Sequence, residues 1–311
     1  MIDFIDNAAM TPLGSLKQLR YLVALDEQLS FTRAASRCFV TQSTLSAGLK
    51  ELERTLGARL VERDRQTVLM TPMGAEVARR AKSLLAEAQD IVDMADRARA
   101  PLTGLLRLGV IPTIAPFLLP RGLRLAQRRY PSLQLALRED LTAGLLARLA
   151  DGRLDLAIIA LPFDTGDLTV LPLFEDELRL VARRGDASVR SEPVTLDHGL
   201  ANRLLLLAEG HCLREHTLRA CGAQPQPADA KLEATSLLTL VQMIESGLGL
   251  GLVPELAIRG GLIRGTRLVS RALARPAPKR TIALVARRTT TRTAEMQALA
   301  GICRKIGRGK R

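Results

Sequence analysis

The chain has 311 residues, 47% of them hydrophobic and 25% charged, enough for two or three well-buried cores, and a formal net charge of +13. No apolar run reaches the roughly 18 residues of a membrane span, since the longest candidate, Leu108 to Pro120, is broken by three prolines. The opening Met1-Ile2-Asp3-Phe4-Ile5-Asp6 is acidic where a secretory signal is basic, and four cysteines are too few for a disulfide-stapled secreted fold, so a cytoplasmic chain with reduced thiols is expected.

Residues 1 to about 15 show no periodicity and read as an N-terminal extension. Dense helical patterning follows: Leu19, Leu22, Val23 and Leu25 form one apolar face, Ala34, Ala35 and Cys38 a second, and Leu45, Leu49, Leu52 and Leu56 a third. Three helices between residues 16 and 63 are predicted, with a tight turn at Phe39-Val40 before the third. That helix turns Gln42, Ser43, Thr44, Ala47 and Lys50 outward, near the end where a recognition helix meets base edges. Gln can grip adenine, Ser and Thr can bond bases or phosphates, and Lys50, Arg63 and Arg65 suit phosphate. Arg65 to Met70 reads as a short strand pair, the wing of a winged helix. Thr71-Pro72 then supplies a cap and a first-turn proline for a helix running to about Arg99, a span of about 40 Å. On it Val77, Ala81, Leu84, Ala88, Ile91 and Ala95 recur by four and three, a seam suited to a paired helix.

After Pro101 strands and helices alternate. Strands are expected at Leu105 to Val110, Leu133 to Arg138 and Leu154 to Ala160, with helices at about 117 to 129 and 142 to 150. A second series begins near Glu177, with strands Leu178 to Arg183 and Leu204 to Leu207, helices after Cys212 and from Ser236, and strands near Leu250 and Leu268. Strand Thr281 to Ala286 and a helix from about Thr293 close the chain. Two α/β series with a late return imply two lobes and a ligand cleft, lobe I at about 101–175 with 280–311 and lobe II at about 176–279. The basic excess is terminal: from Arg259 to Arg311 there are 15 Lys or Arg against one acid, Glu295. That fits attraction to nucleic acid or a solvated basic surface equally well.

The run Ser30-Phe31-Thr32-Arg33-Ala34-Ala35 through Val40-Thr41-Gln42-Ser43-Thr44-Leu45-Ser46, then Leu49, Leu52-Glu53, Leu56-Gly57, Leu60 and Glu62-Arg63, resembles the winged helix-turn-helix of LysR-type transcriptional regulators. Ser43 stands where many members have proline, and Gly48 and Lys50 replace commoner Gln and Arg. The resemblance implies an α/β fold with an all-α winged helix-turn-helix domain over 16–71, a linker and dimerisation helix over 72–100, and a two-lobed, periplasmic-binding-protein-like effector domain over 101–311. It implies double-stranded DNA as partner, contacted through Arg33, Gln42, Ser43, Thr44, Ser46, Lys50, Arg63 and Arg65. A homo-oligomer, a dimer of dimers, and a contact with RNA polymerase follow from the same likeness.

Within that family, Glu209-Gly210-His211-Cys212-Leu213-Arg214, Cys221, Gly109-Val110-Ile111-Pro112-Thr113 and Arg280-Thr281-Ile282 are similar to the motifs of hydrogen-peroxide sensors. This implies that Cys212 reacts with peroxide, that Cys221 resolves it to a disulfide later reset by a thiol reductant, and that Thr113, Thr142, His211 and Arg280 hold the peroxide. Cys212 follows a strand and a loop and is expected at a helix N-terminus, where the dipole favours thiolate. If residues 212 to 221 are helical, their Cα atoms lie about 13.5 Å apart, whereas a disulfide needs less than about 7 Å. Cys38 and Cys303 read as core residues, His198 and His216 as surface histidines. No zinc-like spacing occurs, and neither cofactor, metal nor membrane is expected. A regulator with a small metabolite in the cleft and a thiol peroxidase are the alternatives.

Overall fold

The computed structural model describes residues 14–63, 68–97, 102–222 and 233–309, and it divides into two compact units near residue 93. The extension at 1–13, the position of Arg65 and the expected last turn of the linker helix at 98–99 lie outside the described residues.

The first unit holds α1 (Leu16–Gln28), α2 (Phe31–Arg37) and α3 (Gln42–Leu56), then β1 (Val61–Arg63), β2 (Val68–Met70) and α4 (Pro72–Arg97). Each of the first three helices opens on a hydroxyl: Ser15, Ser30 and Thr41 accept from the backbone N–H of Gln18, Arg33 and Thr44, satisfying donors that a helix start leaves unpaired. Leu22, Leu25, Ala34, Ala35, Leu45, Leu49 and Leu52 close the core as the periodicity predicts, whereas Leu56 faces outward. The wing differs from expectation. Its first strand is Val61–Arg63, paired antiparallel with Val68–Met70, because the Glu53 carboxylate accepts from the N–H groups of Leu60 and Val61 (2.9 and 3.1 Å) and fixes the chain there. Thr71 caps α4 by accepting from Gly74 N–H at 2.9 Å, Lys82 pairs with Asp26 of α1 at 2.7 Å, and Ala78 joins the core. Further along α4, Leu84 and Ile91 of the expected seam stay exposed at 46% and 65%.

The second unit contains β3 (Gly104–Val110), α5 (Ala115–Arg129), β4 (Leu133–Glu139), α6 (Thr142–Ala150), β5 (Leu156–Leu161), β6 (Thr169–Arg183), α7 (His198–Ala201), β7 (Leu206–Leu207), α8 (Cys212–Ala220), β8 (Glu233–Ala234), α9 (Leu237–Glu245), β9 (Gly251–Pro254), α10 (Glu255–Arg259), β10 (Leu268–Arg271), β11 (Lys279–Ala286) and α11 (Thr293–Gly307). One sheet runs β4-β3-β5-β11-β6-β10, with β9 also on β6. β3 is parallel to β4 and β5, while β11 and β6 run antiparallel to their neighbours. Two hydrophobic cores flank this sheet, the first centred on β3, β5, β11 and α11, the second on the end of β6 with α9, β9 and β10.

The long β6 replaces the shorter strand expected from Leu178. Pairing with β11 carries the strand back through Pro172 and the acidic run Glu175-Asp176-Glu177. The terminal basic excess is also partly internal. Arg280, Arg287 and Arg292 are buried, with Arg287 donating to the Leu149 and Leu154 carbonyls and Arg292 pairing with Glu295.

A Cβ at Gly74 would run into the Leu60 carbonyl, which cannot retreat while Glu53 holds the next peptide. Gly74→Ala is expected to cost about 1 to 3 kcal/mol, read as a lower melting temperature, and an unchanged temperature would show that this approach is slack.

Candidate functional site

Two sets of residues stand out, one in each unit. In the first, Gln42, Ser43, Thr44 and Lys50 of α3 are exposed together, Arg33 of α2 is exposed beside them, and Ser46 is half-buried. The start of α3 is organised by Thr41, whose hydroxyl lies 2.9 Å from that of Ser43 and 2.8 Å from that of Thr44. Gln42 accepts from Thr32 at 3.2 Å, and Arg33 donates to the Gln28 carbonyl at 2.6 Å. Gly48 has a packing reason, since a Cβ there would strike the Tyr21 ring. The exposed polar face at the start of this helix can meet an anionic, hydrogen-bonding surface. Arg63 lies in β1, and Arg65 is outside the described residues.

In the second unit the sequence brings distant positions to one point. Arg280 on β11 sits directly opposite Asp176 on β6. Its Nε and Nη2 donate to Asp176 Oδ2 at 3.1 and 3.0 Å, its Nη1 donates to Thr113 Oγ1 at 2.8 Å, and Nη2 reaches the Thr113 carbonyl at 3.3 Å. The other Asp176 oxygen accepts from the Leu256 N–H at the start of α10, at 2.9 Å. The side chains of Arg280 and Asp176 are both fully shielded from solvent, and four hydrogen bonds from the guanidinium and one to the other carboxylate oxygen offset the cost of burying the pair.

Cys212 is the first residue of α8, as expected, with His211 as N-cap. Gly210, at φ +88°, makes the turn that delivers them. Cys212 packs into the first core, whereas the next residue, Leu213, and the distant Cys221 pack against the second. The helix therefore lies across both lobes, and all four cysteines are free thiols. Burial pushes the Cys212 thiol up, outweighing the Arg280 cation, the Thr142 hydroxyl and the backbone N–H groups of Leu213 and Cys212, all of which act to lower it. The helix-start thiolate expected from sequence is thus overridden, because desolvation of the charged sulfur exceeds what the dipole returns. Burial likewise raises Cys221 and pushes Cys303, a core residue as read, up to about 12.

Thr142, at the start of α6, is buried and its hydroxyl has no hydrogen-bond partner; it lies near enough to Cys212 to favour the thiolate without an aligned bond. His211 is buried, and its pKa is lowered by that burial against a hydrogen bond to the Thr235 carbonyl. Thr113, Thr142, His211, Arg280 and Cys212 are thus all buried residues of the second unit, with Arg280 the cation acting on the thiol. His198 is exposed as expected. His216 is not: it is 6% exposed, four residues after Cys212 on the same helix. Sequence reading also passed over Asp176, whose role depends on strand register, and Thr41. For His216 the spacing of four from the thiol was the available signal.

The described residues contain no group of His, Cys, Asp and Glu able to hold a metal, and no described helix is long and apolar enough to cross a membrane.

Both units resemble known proteins. Residues 16–75 match the family model for the bacterial regulatory helix-turn-helix protein of the lysR family, and residues 99–307 match the LysR substrate binding domain. The HTH-type transcriptional regulator EstR of Acinetobacter baylyi is 46% identical over 96% of this chain and 98% of its own length. A probable hydrogen peroxide-inducible genes activator of Streptomyces viridosporus is 42% identical over 94% and 95%. The solved full-length OxyR of Pseudomonas aeruginosa, in a cysteine-to-aspartate variant, is similar with TM-score 0.77 and 33% identity over 94% of this chain and 98% of that one.

Asp176→Ala is expected to destabilise the chain by about 3 to 5 kcal/mol by leaving Arg280 buried without its counter-ion, and the joint change Asp176→Leu with Arg280→Met to recover most of that. Urea unfolding decides, and equal losses in the two variants would contradict it. A pH effect follows from His216, pushed down to about 4 by burial first and the Arg280 cation second. Above about pH 6.5 neither folded nor unfolded His216 is charged; as pH falls from there to about 4 the unfolded chain alone takes the proton, so stability declines across that window. His216→Gln should flatten this part of the urea-midpoint profile, and an identical profile in the variant would refute the assignment.

Proposed function

The chain belongs to the LysR family of transcriptional regulators, and on that premise we propose that it is a DNA-binding, peroxide-sensing regulator of oxidative-stress genes whose switch is Cys212 with Cys221. The observation that carries this is the seat of Cys212: a buried thiol at a helix start, under the field of Arg280 and beside an unpartnered Thr142 hydroxyl, with a second thiol nine residues along in the other core. Relatives named as hydrogen peroxide-inducible genes activators support the same reading.

Arg280, held by Asp176, and Thr113 orient the peroxide, while Thr142 and His211 complete its hydrogen bonds. The Cys212 sulfur attacks one oxygen, the O–O bond breaks, and the other oxygen leaves with the thiol proton as water, giving a sulfenic acid. The Cys221 sulfur then attacks Cys212, forming the disulfide and releasing the sulfenic oxygen as a second water. With α8 intact the two Cα atoms are about 13.5 Å apart, so closure requires α8 to open and withdraws a side chain from one of the two cores. That rearrangement alters subunit packing and so DNA engagement by Arg33, Gln42, Ser43, Thr44, Ser46, Lys50, Arg63 and Arg65. The exposed Leu84 and Ile91 of α4 suit a dimer, and a dimer of dimers is the assembly on which the switch acts in the cytoplasm. RNA polymerase is the expected downstream partner and a thiol reductant resets the disulfide. The domain plan is 16–71 for DNA, 72–100 for pairing and 101–311 for sensing. No cofactor is invoked, and the DNA reader argues against a peroxidase enzyme.

Cys212→Ser is expected to abolish fast oxidation, whereas Cys221→Ser should oxidise as quickly as the parent chain but stop at a sulfenic acid on Cys212 that dimedone traps. Peroxide titration followed by mass spectrometry reads both, and comparable reactivity in the two variants would show that this pair is not the switch.

A further inference from the structure

Most of the basic excess toward the end of the chain serves no step of the peroxide scheme. Part of it is internal, but Arg259 is exposed and meets two arginines from a helix remote in sequence. Arg121 and Arg124 of α5, Arg259 of α10 and the C-terminal end of α11 enclose a groove of about 520 Å³. Small-molecule sites run from about 300 to 1,000 Å³. None of Thr113, Thr142, His211, Cys212 and Arg280 lines this one. Its floor is apolar: Leu256 and Ile306 are buried, and Phe117 is half-buried and packed against both cores. Its walls carry three guanidinium groups, and no carboxylate is among the described residues that line it. Arg124 is exposed, with neither an ion-pair nor a hydrogen-bond partner among the described residues. Arg259 donates to the Gly307 carbonyl at 2.7 Å, so its guanidinium is held at the wall in the absence of any ligand. Two glycines keep the space open. A Cβ at Gly260 would come within 2.8 Å of the Phe117 ring, and one at Gly309 within 2.7 Å of the Arg259 guanidinium. α5 also begins beside the groove with no side-chain cap, so the positive end of a 15-residue helix adds to the arginines.

We propose that this groove binds a compact organic dianion, a phosphate monoester or a dicarboxylate with an apolar body. The charged group sits among Arg121, Arg124 and Arg259, whose planar forks match the oxygens of either head group. The apolar body covers Phe117, Leu256 and Ile306 and removes that floor from water. Like charges brought together repel, and with no carboxylate in the lining an anion that enters relieves the repulsion. Two negative charges offset three cations better than one does, which favours a dianion over a simple carboxylate. The groove stands apart from the chemistry assigned to Cys212, so this inference holds or fails independently of the peroxide reading.

The test is calorimetric titration of the reduced full-length chain with phenyl phosphate, phthalate, inorganic phosphate and benzyl alcohol. It is run in about 0.15 M salt, where exposed charges are screened beyond about 8 Å. Phenyl phosphate or phthalate should saturate a single site per chain, and whichever binds more tightly identifies the head group. Inorganic phosphate should bind about tenfold more weakly for want of an apolar body, and benzyl alcohol should not bind. Arg124→Ala removes an exposed side chain that has no partner to lose, and it should weaken binding of the organic anion about tenfold. Arg128→Ala takes the same charge from the same helix at an exposed position outside the lining, and it should change affinity by less than about twofold. Equal losses in the two variants would reduce the groove to a diffuse basic surface and overturn the proposal. Inorganic phosphate binding as tightly as the organic anions would overturn it, as would failure of both organic anions to saturate by about 10 mM.

Discussion

The Arg280–Asp176 pair is the constraint on which the second unit depends. A fully enclosed ion pair tolerates almost no misplacement, because any unpaired charge there carries the full cost of desolvation. Its satisfaction fixes four elements at once. Asp176 and Arg280 lock β6 to β11 in register, Thr113 ties in the turn between β3 and α5, and the Leu256 N–H anchors the start of α10. The same cation then acts on the Cys212 thiol and the His216 imidazole with opposite chemical consequences, favouring thiolate in one and the neutral ring in the other.

That pairing of effects resolves an apparent contradiction at the thiol. A reactive cysteine is usually recognised by a low pKa, yet here burial wins over cation and helix start. A protonated thiol resists stray oxidants and alkylating agents, so on the proposed reading the reaction depends on groups that act only when peroxide is in place. On that reading selectivity resides in orientation instead of in standing nucleophilicity. α8 packs Cys212 into one core and Leu213 and Cys221 against the other, so under the proposed disulfide the change of state is a choice between two sets of packing partners.

Much of this was legible in the chain. The inward leucines of α1 and α3 follow from spacing, and Cys212 as the first residue of α8 follows from the strand and loop that precede it. What was not legible depended on partners remote in sequence. Asp176 looks like one of three acids in a turn until β11 pairs with β6 and sets Arg280 against it. The wing strand begins at Val61 because Glu53 holds two amides, a contact no local pattern reveals. His216 passes for a surface residue because its own helix is of mixed polarity and the elements that cover it come from elsewhere. The terminal arginines read as a basic surface for the same reason, although three of them are internal.

The route of the chain through the sheet has a consequence for how the molecule is made. β11 lies between β5 and β6, so Thr281 must meet both Leu161 and Glu175 before the first core can close. During synthesis more than a hundred residues separate Leu161 and Glu175 from Thr281, which pairs with both. The elements of the second core are synthesised before β11 and α11, which the first core must wait for. Asp176 therefore spends that interval as an ordinary solvated carboxylate, and Cys212 as a thiol not yet enclosed. The surroundings of Cys212 that come from β11, Arg280 above all, close over the thiol only after the second core's own elements have been made.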